Sequence, residues 1–343
     1  MDKVYINQSF EPIASPLLSV HTHSQIAVLV DEHTKKYCYP KVKAILPQHT
    51  LITIKSGEER KNLETCSYIW QQLTDKQFDR KGLLINLGGG VIGDMGGFCA
   101  ATFKRGIDFI QAPTSLLAQV DASVGGKLGI DFNDFKNHIG VFKEPAAVLI
   151  ATDFLHTLPV KEIRSGFAEI IKHCLIADAT MWEKIRKRDL EKQNWAELVP
   201  HSIEIKKRVV ADDPTEKGLR KILNFGHTIG HAVESYFLKQ PRKKLLHGEA
   251  IAVGMICESY ISYKRDLLDE QALYHIEEFI FSIYGKAKIT SQDAEAIIPL
   301  MMQDKKNEKG TIQSVLLQGI GNPVYDQKLS LEEIKEAIQY YSN

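Results

Sequence analysis

The residues with the sharpest chemistry lie in the second half of the chain. In Asn224-Phe225-Gly226-His227-Thr228-Ile229-Gly230-His231 two histidines stand at i and i+4. On a helix that spacing puts both imidazoles on one face, about a turn apart. Alone, such a pair is more often a core or surface pair than a ligand set. A third imidazole, His247, opens the segment Leu246-His247-Gly248-Glu249-Ala250, just before a helical stretch rich in small residues. Glu169 stands among Phe167, Ile170 and Ile171, where a carboxylate is costly to bury unless it is paired or metal-bound. Lys172 shares its helical face at i+3, so a plain Glu–Lys pair is the competing reading. Imidazoles with a carboxylate suit zinc, and a catalytic zinc keeps one position open for substrate.

A glycine-rich turn marks the first half. Gly88-Gly89-Gly90-Val91-Ile92-Gly93 satisfies G-x-G-x-x-G between a predicted strand and a predicted helix. Glycines there let backbone N–H groups approach a pyrophosphate at a helix N-terminus, although they also mark ordinary tight turns. The motif follows the third predicted strand, and no acidic residue closes the next strand as the usual dinucleotide fingerprint requires. A nucleotide site of different layout is the expectation. Cations recur inside apolar or glycine-rich segments: Arg105, Lys127, Lys136 beside Asn137, Lys206, Arg220, Lys305 and Lys306. Each alone reads as a surface residue; together in a cleft they would bind a phosphate and a carboxylate, arginine in planar bidentate fashion and lysine as a point charge.

These residues need elements to position them. Strands are expected at 25–31, 50–55, 82–87, 108–112 and 147–151, with helices near 59–73 and 93–101. That alternation argues for a mainly parallel sheet covered by helices. After Pro159 helical patterns take over, at 164–176, 196–210, 226–237, 248–264, 271–284 and 331–341, with one small strand around 314–317. Two domains meeting near residues 155–165 follow, as a length of 343 residues favours. Lys plus Arg and Asp plus Glu both number 43, so no electrostatic footprint for nucleic acid or membrane is present. The five cysteines form no CxxC pair, which fits reduced thiols in a cytoplasmic setting. No apolar run approaches transmembrane length.

Several segments, taken in order, resemble the 3-dehydroquinate synthases of the sugar-phosphate cyclase superfamily. They are GGGVIGDMGGF (88–98), RGIDFIQAPTSLLAQVDASVGGK (105–127), KNHIG (136–140), TLP (157–159), GFAEIIK (166–172), GLRKILNFGHTIGHA (218–232), LHGEA (246–250) and DKK (304–306). The resemblance implies a Rossmann-like α/β NAD-binding domain over residues 1–160 and an all-α metal- and substrate-binding domain over 161–343. It places the active site in the cleft between them. It further implies a homodimer in which Arg105 reaches the neighbouring subunit. The implied metal ligands are Glu169, His227 and His247, holding Zn2+ or Co2+. Implied NAD contacts are Asp31, Glu58, Lys61, Gly89, Gly90, Asp94, Thr114, Ser115, Lys127, Lys136, Thr157 and Leu158. Implied substrate contacts are Asp121, Lys127, Asn137, Lys172, Lys206, Arg220, Asn224 and His231, with Lys305 or Lys306. The implied substrate is 3-deoxy-D-arabino-heptulosonate 7-phosphate. It would be oxidised transiently by NAD, relieved of phosphate, re-reduced and closed by an intramolecular aldol step. Competing readings are a cyclase for another sugar phosphate, a metal-dependent polyol dehydrogenase, and a non-catalytic metal- or nucleotide-binding protein.

Overall fold

The computed structural model describes residues 3–19, 22–133, 135–240, 243–301 and 312–343. The chain divides into two compact units. One comprises residues 1–163 and 195–203, the other 164–194 and 204–343.

Among the described residues the first unit is built on eight strands: β1 (Val4–Asn7), β2 (Ile26–Asp31), β3 (Thr50–Ile54), β4 (Leu83–Gly88), β5 (Asp108–Pro113), β6 (Lys127–Phe132), β7 (Phe135–Phe142) and β8 (Ala147–Ala151). Six of them form a parallel sheet in the order β1-β8-β5-β4-β2-β3. The interior strands IAVLVD, LLINLG and AVLIA are nearly continuous apolar runs, as a parallel sheet covered on both faces demands. Alternate residues serve opposite faces. Val28, Val30 and Ile85 pack with Phe10, Ile13 and Phe154 on one side. Ala27, Leu29 and Leu84 pack with Ile69, Met95 and Phe98 on the other.

The helices of this unit are α1 (Glu11–Ser19), α2 (Glu32–Tyr37), α3 (Tyr39–Val42), α4 (Leu63–Asp75) and α5 (Gly90–Thr102). From β2 the chain steps to β3 on one side, whereas β4 lies on the other side of β2 and leads on to β5. The order therefore reverses between β2 and β4, and ligands of open α/β sheets bind at the carboxyl ends beside such a reversal. Those ends carry Asp31 and Gly88–Gly90. The glycine turn follows the fourth strand rather than the third, because β1 was not legible in the weakly patterned N-terminus. Between β5 and β8 the crossover contains a π-helical turn (Ala118–Ala122) and the antiparallel hairpin β6–β7.

The second unit is dominated by helices: α6 (Val160–Ala177, from Arg164 on), α7 (Ala179–Ile185), α8 (Trp195–Asp212, from Glu204 on), α9 (His227–Leu238), α10 (His247–Lys264), α11 (Glu270–Tyr284), α12 (Ser291–Met301) and α13 (Leu331–Ser342). Helix α10 is buried on all sides and packs against α9, α11 and α13, which explains its apolar, small-residue sequence. The unit also holds an antiparallel pair, β9 (Ile312–Leu317) and β10 (Pro323–Leu329). The first strand agrees with the expectation at 314–317; the second was missed, because PVYDQKL carries exposed polar residues through its centre. No helix among the described residues is long and apolar enough to cross a membrane.

Candidate metal centre and nucleotide pocket

Three helices of the second unit approach closely because glycines stand at their contacts. A Cβ on Gly248, at the start of α10, would lie 2.5 Å from Ser165 Cα on α6. The Gly248 N–H donates to Ser165 Oγ at 3.1 Å. A Cβ on Gly254 would lie 2.7 Å from Gly230 N, and one on Gly230 would lie 3.0 Å from Ala250 O, so α9 and α10 cross nearly backbone to backbone. Gly226 takes φ +77°, turning the chain into α9, a conformation that costs glycine little. The buried carboxylate of Glu258 on α10 accepts from Gly226 N at 2.7 Å and Ile229 N at 3.2 Å, satisfying N–H groups that a helix start leaves open.

This packing brings Glu169 on α6, His227 at the start of α9 and His247 at the start of α10 together. Glu169 Oε1 is 3.5 Å from His227 Nε2 and 3.4 Å from His247 Nε2. One ligand atom from each of the three lies within 4.8 Å of the others. Two donors about 2.0–2.1 Å from one tetrahedral ion stand roughly 3.4 Å apart, so these spacings fit a divalent ion with an open position.

The orienting partners fit as well. His227 Nδ1 faces Phe225 O at 3.0 Å, and His247 Nδ1 faces Glu234 Oε2 at 3.2 Å. A proton held at each Nδ1 turns the Nε2 lone pairs toward Glu169, the usual support for metal-ligating histidines. Burial would push the Glu169 carboxyl up, but Lys172 and the two imidazoles outweigh it and hold it well below its ordinary value. Burial and Lys172 push His227 down, which favours the neutral ligand form. Burial also opposes charge on His247. Its hydrogen bonds to Glu169 and Glu234 nevertheless raise it to about 10. The two carboxylates thus create a potential that a cation satisfies, whether a proton or a metal ion.

In the first unit, a small pocket opens at the start of α5, lined by Gly88, Gly89, Gly90, Gly93, Asp94, Gln111, Pro113, Ala118, Ala122 and Ser123. The glycines divide into two kinds. Cβ atoms on Gly96 and Gly97 would run into Asn86, Leu29 and Leu128, so these two seat α5 on its neighbours. Cβ atoms on Gly89 and Gly90 would meet nothing nearer than Ser115 Oγ at 3.4 Å and Ala122 Cβ at 3.7 Å; they open onto the pocket.

The sequence matches known proteins along its length. Residues 51–165 match the 3-dehydroquinate synthase N-terminal family and residues 166–307 the 3-dehydroquinate synthase C-terminal family. A 3-dehydroquinate synthase of Parabacteroides distasonis is 40% identical over 99% of this chain and 97% of its own length. The chain belongs to the 3-dehydroquinate synthase family. A second member, from a Nitratiruptor species, is 38% identical over 98% of this chain and 96% of its own. Among solved structures, a 2-epi-5-epi-valiolone synthase from Streptomyces hygroscopicus, with NAD+ and Zn2+ bound, superposes with a TM-score of 0.87. Its identity is 23%, over 99% of this chain and 96% of that one. A 2-deoxy-scyllo-inosose synthase carrying carbaglucose-6-phosphate, NAD+ and Co2+ superposes at 0.83 with 24% identity, over 98% and 96% of the two chains. At those identities the likeness speaks for the fold.

The other residues that family resemblance selected fall into several groups. Lys61 is buried; its ammonium lies 2.6 Å from both Asp94 Oδ2 and Asn137 Oδ1. Burial opposes that charge, but Asp94 and Glu58 outweigh it and hold Lys61 above the ordinary lysine range. Lys136 Nζ stands 3.9 Å from Glu58 Oε1. Glu58, Lys61, Asp94, Lys136 and Asn137 therefore form one charged network along the edge of α5. Thr114 and Ser115 follow β5, with Thr114 N donating to Gly88 O. Asp31 ends β2 and caps α2 by accepting from Thr34 N at 2.7 Å. Thr157 and Leu158 sit at the close of the 3-10 turn after β8 and do not line the glycine pocket. Asp121 lies in the π turn, and Lys127 is exposed at the start of β6. Arg105 is exposed in a turn where it and Lys104 take φ +70° and +49°.

In the second unit, Lys172 pairs with Glu169 Oε2, so the Glu–Lys pair and the ligand set coexist on one carboxylate. The His231 ring lies 5.0 Å from that of His227 and 6.0 Å from that of His247. Lys206 and Arg220 are buried. Arg220 Nη1 donates to Pro214 O at 2.8 Å, and Asn224 Nδ2 to Glu216 Oε1 at 2.8 Å. Lys305 and Lys306 lie outside the described residues. Sequence reasoning missed Glu234 and Glu258. Glu234 falls three residues after His231 and seven after His227, on the same helical face, and that spacing was the available signal. Nothing in the local pattern separates Glu258 from a surface glutamate.

Proposed function

We propose that the chain converts 3-deoxy-D-arabino-heptulosonate 7-phosphate to 3-dehydroquinate and phosphate, with NAD and one divalent ion, Zn2+ or Co2+. The observation that carries this reading is the convergence of Glu169, His227 and His247 in a chain whose two halves match the two family segments. When bound, the ion polarises substrate oxygens and NAD takes up and returns a hydride. A carbonyl at the carbon that gives up the hydride would acidify the neighbouring C–H, whose proton would pass to the phosphate as it leaves by elimination.

The chain's own residues bind and orient. Glu169, His227 and His247 hold the ion, and Glu234 and the Phe225 carbonyl fix the imidazoles that face it. Lys172 balances the second oxygen of Glu169. His231, on the same face of α9 as His227, offers its imidazole to the substrate that the ion holds. The substrate carries a phosphate and a carboxylate, which Lys127, Lys206, Arg220 and one of Lys305 and Lys306 bind through charge-assisted bonds. Asp121, Asn137 and Asn224 complete the polar contacts. The nucleotide takes the glycine pocket and the carboxyl ends of the strands, with Asp31, Glu58, Lys61, Asp94, Lys136, Thr114, Ser115, Thr157 and Leu158. The reading includes a cytoplasmic homodimer. In this reading Arg105 serves the neighbouring subunit, as the family resemblance implies; its exposed turn carries two left-handed non-glycine residues, and such strain clusters at functional sites.

The deciding experiment follows phosphate release and NADH absorbance together on the heptulosonate phosphate. Phosphate should appear without net NADH, should stop on chelation, and should resume with Zn2+ or Co2+. Steady NADH accumulation with a simple polyol would establish a dehydrogenase instead. Equal turnover of sugar phosphates that lack the carboxylate would point to a different cyclase.

A further inference from the structure

Ser123 has no role in the site as described so far. The residue is 8% exposed, and its hydroxyl is buried and, among the described residues, has no hydrogen-bond partner. It nonetheless lines the glycine pocket. Its position is fixed from two sides. The Ser123 N–H donates to Ala118 O at 3.1 Å, closing the π turn. Within that turn, buried Gln119 donates to Pro113 O at 3.2 Å and Ala151 O at 3.0 Å, tying it to the ends of β5 and β8. The residue before Ser123 is Ala122, which a Cβ on Gly90 would touch at 3.7 Å. Ser123 therefore faces the start of α5 across the pocket.

A buried hydroxyl without a partner destabilises the fold that holds it, and such groups persist where a ligand completes them. The first N–H groups of α5 also lack partners within the helix. Other polar side chains on the pocket wall are engaged or of the wrong kind. Gln111 Nε2 donates to Gly93 O at 2.9 Å. Asp94 is drawn to Lys61, and as a carboxylate it donates nothing. Among the residues that line the pocket, Ser123 is left as the side-chain O–H donor beside a helix N-terminus, and that combination suits a phosphate oxygen.

We infer that the Ser123 hydroxyl donates to an oxygen of the dinucleotide's pyrophosphate, which it clamps from the side opposite the glycine turn. The inference rests on the nucleotide reading given above and adds a residue to it.

The test compares the full wild-type chain with Ser123→Ala, using titration calorimetry with NAD and with ADP-ribose, and thermal melts without nucleotide. ADP-ribose keeps the pyrophosphate and lacks the nicotinamide. The substitution should weaken both ligands to a similar degree, roughly tenfold or more, while the melting temperature without nucleotide stays equal or rises. Unchanged affinity for either ligand overturns the inference. So does a lowered melting temperature with no ligand present, which would mark the hydroxyl as a structural group. A wild-type chain that binds neither ligand removes the nucleotide reading itself, and the inference falls with it.

Discussion

Gly248→Ala offers a sharp perturbation of the metal centre that touches none of its ligands. The added methyl would sit 2.5 Å from Ser165 Cα and 2.7 Å from Ser165 C, against 3.4 Å for ordinary contact. Both atoms belong to backbone, so no rotamer change relieves the clash. Relief requires the start of α10 to draw back from α6 by at least 0.9 Å, the difference between 3.4 and 2.5 Å, because the Ser165 carbonyl oxygen stands closer still. His247 is the adjacent residue, and Glu169 sits one turn beyond Ser165 on α6. The same displacement would take His247 Nε2 from 3.4 Å to more than 4 Å from Glu169 Oε1, while metal–ligand distances tolerate about 0.2 Å. Metal affinity should fall by about a hundredfold or more, beyond the roughly 10- to 100-fold typical of disturbing an orienting partner. Overpacking should also cost about 1–3 kcal/mol of stability. Competition against a chromogenic chelator measures the first, and thermal melts of metal-free protein the second. A Gly248→Ala chain that binds zinc as tightly as wild type would show that the glycine contact does not set the ligand geometry.

Glu234→Gln should lower metal affinity by about 10- to 100-fold with little change in the melting temperature of metal-free protein, because the amide keeps an acceptor near His247 Nδ1. Gly90→Ala should leave folding intact, since its methyl finds 3.7 Å of room against Ala122, yet weaken NAD in the same calorimetric titration; unchanged binding would mean that the pocket does not take nucleotide. Glu333 is held at about 2 by its hydrogen bond to Arg265, with further help from Ser330. Its folded value lies below its ordinary 4.5, so its contribution is complete above that value and is lost as pH falls through about 2. Glu333→Gln should therefore lower stability by about 1 kcal/mol at pH 7, chiefly because a neutral amide makes a weaker bond with Arg265 than a carboxylate does, and melts from pH 7 to pH 2 should show most of the deficit disappearing.

Particular elements explain what the sequence disclosed. The strands IAVLVD, LLINLG and AVLIA were readable because full burial leaves uninterrupted apolar runs. Hairpin β6–β7 was not, since β7 (FKNHIGVF) is exposed along most of its length and Gly129 faces Gly140 across the pair, so neither strand shows a clean alternation. The helix after the glycine turn begins at Gly90, three residues before its expected start, because an N-terminus made of glycines gives no periodic signal. The meeting of Glu169, His227 and His247 was legible through unusual residue types in unusual company: an acid in an apolar helix and histidines beside glycines. Its supports were harder to see. The Glu258 carboxylate and the Gly226, Gly230 and Gly254 contacts act between helices, and their meaning exists only once α9 and α10 are packed.

The three candidate ligands come from three separate helices, with 78 residues between the first and the last. A short stretch of this chain therefore cannot gather the ion as a zinc finger does, and the helical unit must assemble before the donors meet. A chelator should accordingly yield a silent but intact protein, and returning the ion should restore activity without any refolding step.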